Sequence, residues 1–270
     1  MSSPNVMSPN FRLHIDGIAT WASGLPDWPA MRAFARGEAE LVEGTPRRPA
    51  PDLLPANERR RAPDTVLLAL QVAQAACADA GADPKALPSI FASTHGDLAI
   101  TDYMCATLAD SPADLSPTKF HNSVHNAAAG YWTIGCGCHA ATTAISAHRA
   151  TLAQGLIEAA LQLAAGAPQV LLVAYDGPST GPLGTMSQSE GLLGLGLVLS
   201  AHSATGNNLR LALQLGKGAD DGNGSGRLET ALSGNAMAPA LKLLDAIATG
   251  RDCCLLPAGR DTVLKVGIGA

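Results

Sequence analysis

A chain of 270 residues has room for one large α/β domain or two small ones, and with 47% hydrophobic but only 4% aromatic residues its core must come from Ala, Leu, Val and Ile. A net charge of −5 with no basic face gives no reason to expect nucleic acid as a partner. Six cysteines without framework spacing, behind an N-terminus lacking the basic start and apolar run of a signal peptide, fit a reduced cytoplasmic protein.

Phe11 to Ile18 reads as a first strand, with Leu13 and Ile15 on one face and Gly17 ending it. Trp28 to Arg36 reads as a short helix, and Pro46 to Pro63, rich in Pro and Arg, as a surface loop. That loop carries the clearest basic cluster, Arg59, Arg60 and Arg61 with Arg47 and Arg48. Such a run is either solvated surface or a contact for an acidic partner. From Asp64, placed as an N-cap, to Asp79, the residues Val66, Leu67, Leu70, Ala73 and Cys77 recur at helical spacing, and Gly81 stops the helix.

Ser89 to Ser93 is expected as a buried strand and Asp97 to Leu108 as a second helix. Asn126 to Ile134 is a small-residue helix, Ala140 to Ser146 a strand, and Thr151 to Leu163 a helix with Leu152, Leu156, Ala159 and Leu163 on one face. Gln169 to Tyr175 reads as another buried strand. The most apolar window, Gly155 to Val173, is broken by Glu158, Gln162, Pro168 and Gln169, so no membrane span is expected. Pro178 to Ser189 reads as a flexible loop, Leu193 to Leu199 and Leu209 to Leu215 as strands, and Ala219 to Arg227 as a mobile Gly- and Asp-rich link. Ala236 to Thr249 is a helix stopped by Gly250, and Thr262 to Ile268 the last strand. This alternation implies a layered α/β architecture.

Several chemistries are disfavoured. Cys136-Gly137-Cys138-His139, with His121 and His125 upstream, lacks the second ligand pair of a structural zinc site, so no metal is expected. Gly222 to Gly226 follows no strand-to-helix pattern of a phosphate loop. No G-x-S-x-G elbow points to a serine hydrolase.

Ser116 to Tyr175 carries the informative wording: SPTKF, then HNSVHNAAAGYWTIG, then a strand leading into Ser146-Ala147-His148-Arg149, and finally LLVAY with Asp176. In that order the stretch resembles the β-ketoacyl synthases, the thiolase-fold condensing enzymes of fatty acid and polyketide synthesis. The resemblance covers roughly Phe11 to Ser200 and is most specific in the middle. In active members the strand ends in a Thr-Ala-Cys or Ser-Ala-Cys elbow whose cysteine begins the next helix. A thiolate there is stabilised by the helix N-terminus and accepts the acyl chain. Here the cysteine position carries His148. An imidazole could at most form a labile acyl-imidazole, and a helix N-terminus favours its uncharged form. His148 then reads either as a helix N-cap neighbour without chemistry or as a residue shaping the pocket.

The resemblance implies more. Active members bind the thioester carbonyl with two histidines in a duplicated C-terminal half, whereas here only His202 follows Leu199. The fold class implied is a thiolase-like layered αβα fold with a truncated C-terminal half. Residues 1–202 form the ketosynthase-like domain, and 203–270 a shortened strand-helix-strand remnant on the same core. The chain is especially similar to the cysteine-lacking partners, called chain-length factors, of aryl polyene and aromatic polyketide ketosynthases. It would pair with an active ketosynthase through the Thr142–Ser146 strand and the Asn126–Ile134 helix, without a cofactor. Its side chains would limit the growing chain, with His95, Tyr103, Met104, Phe120, Asn126, Tyr131, Trp132, Thr143 and Ile145 as the tunnel and interface candidates. Arg59, Arg60 and Arg61 would meet an acyl carrier protein. Two other readings stay open: an active 3-oxoacyl synthase or acyltransferase using an unexpected residue, and a carrier-protein binding module.

Overall fold

The computed structural model describes residues 10–202, 209–219 and 226–269. They form an eight-stranded mixed sheet between two layers of helices. The elements in chain order are β1 (Asn10–Ala22), α1 (Trp28–Ala35), α2 (Ala56–Arg61), α3 (Asp64–Ala80), β2 (Ser89–Ala92), α4 (Leu98–Asp110), α5 (Pro117–Asn122), α6 (Ala127–Cys136), β3 (Thr142–Ile145), α7 (Thr151–Ala164) and β4 (Gln169–Asp176). There follow α8 (Gly181–Met186), β5 (Leu193–Ser200), β6 (Arg210–Lys217), α9 (Arg227–Leu232), α10 (Pro239–Thr249), β7 (Cys253–Gly259) and β8 (Thr262–Gly269). The strand order is β3-β2-β4-β5-β1-β6-β8-β7. Only the β3, β2 and β4 neighbours are parallel, and the other pairs are antiparallel.

The period of two along each strand sends alternate residues to opposite layers. In β4, Val170, Leu172 and Ala174 pack with α7 and α10 residues, while Leu171, Val173 and Tyr175 pack with α3 and α6 residues. In β5 the leucines 193, 195 and 197 fill the first layer, and Gly194 and Gly196 lie under α3. A Cβ on Gly196 would run into the Val72 carbonyl and stand 3.0 Å from the Ala76 Cβ. Bare backbone is what lets α3 settle onto the sheet.

The same contact explains why β1 does not stop at Gly17. A Cβ there would strike the Ala76 carbonyl of α3, so the glycine marks a close approach rather than an end. A bulge between Ile15 and Gly17 shifts the register against β5. Leu13 and Ile15 therefore face one layer, while Ala19 and Trp21 face the other.

Other local readings need correction. Asp64 is the first residue of α3, not its N-cap; Pro63 holds that place and the Asp64 carboxylate pairs with Arg48 at 3.2 Å. Gly81 does end the helix, in the left-handed conformation at φ +62°. The Pro- and Arg-rich loop contains α2, with Glu58 in its first turn and Arg59, Arg60 and Arg61 in its last, the charge order a helix dipole favours. The 178–189 loop contains α8. Beyond residue 202 the described residues form three strands and two helices rather than strand-helix-strand. The missed strand, β7, contains Pro257, which reads against strand structure but is tolerated at a sheet edge. The Gly- and Asp-rich link expected to be mobile lies largely outside the described residues.

Candidate functional site

Three parallel strands end on one rim of the sheet. Their C-terminal ends deliver Ser93-Thr94-His95 after β2, Ser146-Ala147-His148 after β3, and Asp176 at the end of β4. Open α/β sheets place their ligand crevices outside such strand ends.

His148 opens a 3₁₀ turn leading into α7 and adopts φ +51°, the left-handed region that side chains other than glycine rarely enter. The turn is clamped. Thr151 Oγ1 donates to the His148 carbonyl at 2.6 Å and accepts from the Ala147 N–H at 3.0 Å. Ser146 Oγ donates to the Thr94 carbonyl at 2.9 Å, tying the elbow to the neighbouring strand end. The strained strand-turn-helix elbow is thus built, with an exposed imidazole where the resemblance puts a sulfur.

The cysteines lie elsewhere. Cys77 on α3 and Cys136 and Cys138 at the end of α6 are buried, and Cys136 Sγ donates to the Trp132 carbonyl at 2.9 Å. Burial pushes the Cys77 thiol up to about 12, does the same to Cys254, and raises Cys136, so these sulfurs stay protonated and unreactive at neutral pH. Cys105 and Cys253 are exposed, on α4 and β7. Among the described residues no cluster of His, Cys, Asp and Glu is arranged to hold a metal.

Asp176 anchors the rim. Its fully buried carboxylate accepts from Ser93 Oγ at 2.8 Å, from the Thr94 N–H at 3.0 Å and from the His95 N–H at 3.4 Å. Desolvation raises its pKa, and the Thr94 and Ser93 donors oppose that shift. The His95 ring sits just outside, with Nε2 2.5 Å from Ser187 Oγ. Burial lowers the His95 pKa, against the attraction of Asp176 and with the repulsion of His148. The imidazole is therefore neutral at pH 7.

The C-terminal segment closes the other side. Asn235 Nδ2 donates to the Glu190 and Gly191 carbonyls at 2.9 and 3.1 Å, and Ser189 Oγ accepts from the Ala236 N–H at 3.0 Å. Between this segment and the elbow lies an open cavity of about 470 Å³, lined by Thr94, His148, Arg149, Ser187, Asn235 and Lys242 among others.

A second concavity, about 880 Å³, lies over the exposed face of α5 and α6, with Leu53, Phe120, Val124, Tyr131 and Ile134 on its walls and Arg61 at its margin. Ile134 is 82% exposed and Phe120 58%, unusual for such side chains. Strand β3 has β2 as its partner and, among the described residues, nothing on its outer edge.

The candidate residues distribute over these features. Phe120, Asn126 and Tyr131 line the groove, and Thr143 and Ile145 are half-buried on β3. Tyr103 and Met104 are half-buried on α4, the Tyr103 ring carrying the Lys119 ammonium at 3.9 Å. His95 lines neither concavity and stands behind Ser187, which lines the elbow cavity. Trp132 is fully buried in the layer shared with α3, so it is a core side chain of this subunit and reaches neither concavity. Arg59 contacts the Pro51 carbonyl and Asp52, and Arg60 is exposed. Asp176, Ser187 and Asn235 were not among the sequence candidates. A carboxylate ending an apolar strand was the available signal for Asp176; Ser187 and Asn235 sit in segments without a pattern.

The β-ketoacyl synthase N-terminal domain model matches residues 32–262. The chain belongs to the β-ketoacyl synthase family. Comparison with curated proteins returns no match. Among solved structures, this β-ketoacyl synthase-like chain is similar to one from the complex of the ketosynthase ApeO with its chain length factor ApeC from Xenorhabdus doucetiae. Identity is 20% and the TM-score 0.72, covering 94% of this chain and 98% of that one. A chain of the ishigamide ketosynthase/chain length factor gives 15% identity and a TM-score of 0.66, covering 95% and 98%. The β-ketoacyl synthase of Burkholderia phymatum is longer: at 14% identity and a TM-score of 0.58, the match covers 90% of this chain but 71% of that one. The fold is thus the thiolase-like ketosynthase fold in a shortened form. Among the described residues no helix is long and apolar enough to cross a membrane.

Proposed function

We propose that this chain is a non-condensing subunit of a ketosynthase pair, a chain-length factor for a polyene or polyketide acyl chain in the cytoplasm. The carrying observation is the elbow at residue 148, held in its strained left-handed form without a cysteine. A turn that costs conformational energy and carries no thiol fits a subunit that keeps the shape of a condensing site while its partner supplies the nucleophile. Similar folds come from two ketosynthase and chain length factor structures and from a type II polyketide ketosynthase in complex with its acyl-carrier protein. In this reading residues 1–202 are the ketosynthase-like part and residues 203–270 a shortened C-terminal part.

The free edge of β3 and the apolar groove beside α6 are the surfaces we assign to the ketosynthase. An unpaired edge strand and a contiguous apolar patch are each liabilities unless covered. Phe120, Tyr131 and Ile134 would then face the shared tunnel, and the Arg59–Arg61 helix the acidic carrier protein. The test is co-expression with candidate ketosynthases followed by co-purification and product analysis. A stable complex whose product length responds to groove substitutions supports the reading. A chain that stays monomeric beside every ketosynthase, or that condenses acyl units alone, overturns it.

A further inference from the structure

The elbow cavity is lined by a nucleophile, backed by a base, that the chain-length reading leaves unused. Ser187 ends α8 and lines the cavity beside His148 and Thr94, while His95 stands behind it with Nε2 2.5 Å from the serine oxygen. The residues come from opposite sides of the rim: His95 follows β2, and Ser187 lies in the loop between β4 and β5. The backbone of His95 is fixed because its N–H and that of Thr94 both donate to the buried Asp176 carboxylate. The ring is kept neutral by burial, and the nearby carboxylate favours the imidazolium that forms once a proton is taken. A neutral imidazole within hydrogen-bond reach of the hydroxyl of a cavity-lining serine is the pair that activates such a nucleophile, and here the carboxylate holds the His95 main chain rather than its ring. Arg149 and Lys242 bring positive charge to the same cavity, where a developing oxyanion gains from it.

We infer that Ser187, with His95 as its general base, is an acyl-accepting nucleophile in the elbow cavity, acting on acyl thioesters and releasing them as carboxylic acids. The Ser187 oxygen forms a bond to the thioester carbonyl carbon while His95 Nε2 takes the hydroxyl proton. The carbon–sulfur bond breaks, and the leaving thiolate takes that proton from His95. Water then attacks the acyl-Ser187 ester, giving one proton to His95, which passes it to the serine oxygen as the ester bond breaks. The products are a carboxylic acid and a free thiol, and no further reactant is needed. Only the choice of a thioester rests on the chain-length reading; the nucleophile itself rests on geometry.

The test uses the purified full-length chain without a ketosynthase. A fluorophosphonate probe should modify Ser187, located by peptide mass spectrometry, and the adduct should vanish in Ser187→Ala. His95→Gln keeps a side chain able to hydrogen-bond Ser187 but cannot take a proton, so labelling should slow at least tenfold at an unchanged melting temperature. Octanoyl-N-acetylcysteamine should be hydrolysed, with the same two losses. No adduct on Ser187, or labelling indifferent to His95→Gln, overturns the nucleophile. Labelling and cleavage of p-nitrophenyl octanoate without thioester hydrolysis keeps the nucleophile and overturns the substrate class. Pairing with a ketosynthase is scored separately by co-purification, so that failure of either reading leaves the other standing.

Discussion

Thr151 locks His148. Its hydroxyl donates to the His148 carbonyl at 2.6 Å while accepting from the Ala147 N–H at 3.0 Å, which holds residue 148 at φ +51°. A left-handed conformation costs a residue with a Cβ about 1 kcal/mol, so glycine at 148 should relieve strain. His148→Gly is expected to keep or raise stability by up to about 1 kcal/mol in urea titrations, and His148→Val to lower it. Thr151→Val removes the clamp and should cost about 1 kcal/mol. Restoring His148→Cys should create no condensing activity in the chain alone, measured by acyl-carrier turnover.

Helix α3 sits on bare backbone, and that contact is sharply testable. Gly196→Ala places a methyl group against the Val72 carbonyl and Ala76 of a fully buried helix face. Overpacking of this kind costs about 1–3 kcal/mol. The expected result is a lower urea midpoint at unchanged slope; wild-type stability would mean that α3 can shift without penalty.

The rim pair responds to pH in opposite senses. Asp176 has a folded pKa above its unfolded value, so its contribution to stability is full below the unfolded pKa of about 3.9 and is lost as pH rises through the folded one. His95 has a folded pKa below its unfolded value of about 6.5. Its contribution is present above that pH and is lost as pH falls toward the folded value. Asp176 and His148 are the charged or titratable groups acting on it. The melting temperature should therefore drop more between pH 7.5 and about pH 5.5 in the wild type than in His95→Gln. Equal drops would remove the burial argument.

How much of this was legible in the sequence depends on how far apart the interacting groups are. Helix α3 was readable from Val66, Leu70, Ala73 and Cys77 and from Gly81, because its signals are local. The extent of β1 was not, since Gly17 answers to a helix some sixty residues away rather than to a turn. Pro257 hid β7, because only the assembled sheet reveals that this strand lies at an edge. The elbow was recognisable from Ser146 to Arg149, but its strain was not. The pairing of His95 with Ser187 spans 92 positions, with the serine in a stretch that reads as loop, so no periodicity could expose it. Tyr131 and Trp132 are adjacent on one helix, and only the packing separates the groove wall from the core.

That adjacency gives a paired test. Trp132 is fully buried against the layer shared with α3, so Trp132→Ala should cost roughly 3–5 kcal/mol and give poorly folded protein. Tyr131→Ala, on the groove wall, should fold well and shift the product distribution of a reconstituted ketosynthase complex toward longer chains. A well-folded Trp132→Ala complex with altered products would return that ring to the tunnel.

The exposed groove carries the strongest test of pairing. Ile134 and Phe120 are large apolar side chains left mostly in water, so in the isolated chain their replacement changes little buried contact. Ile134→Lys and Phe120→Ser should each stay within about 0.5 kcal/mol of wild-type stability. In a subunit interface the same residues would be desolvated, and a lysine there has no apolar surroundings it can enter cheaply. Co-purification with the ketosynthase should therefore fall at least tenfold for Ile134→Lys while the melting temperature of the free chain holds. The edge strand supplies the control: Thr143→Pro removes a backbone donor from β3, where the carbonyls of Ala141, just before the strand, and of Ile145, at its end, accept from the Ser89 and Ser93 N–H groups. It should weaken folding and pairing together. Loss of pairing without loss of stability is the signature of an interface, and if Ile134→Lys pairs as well as wild type, the groove is not the ketosynthase contact.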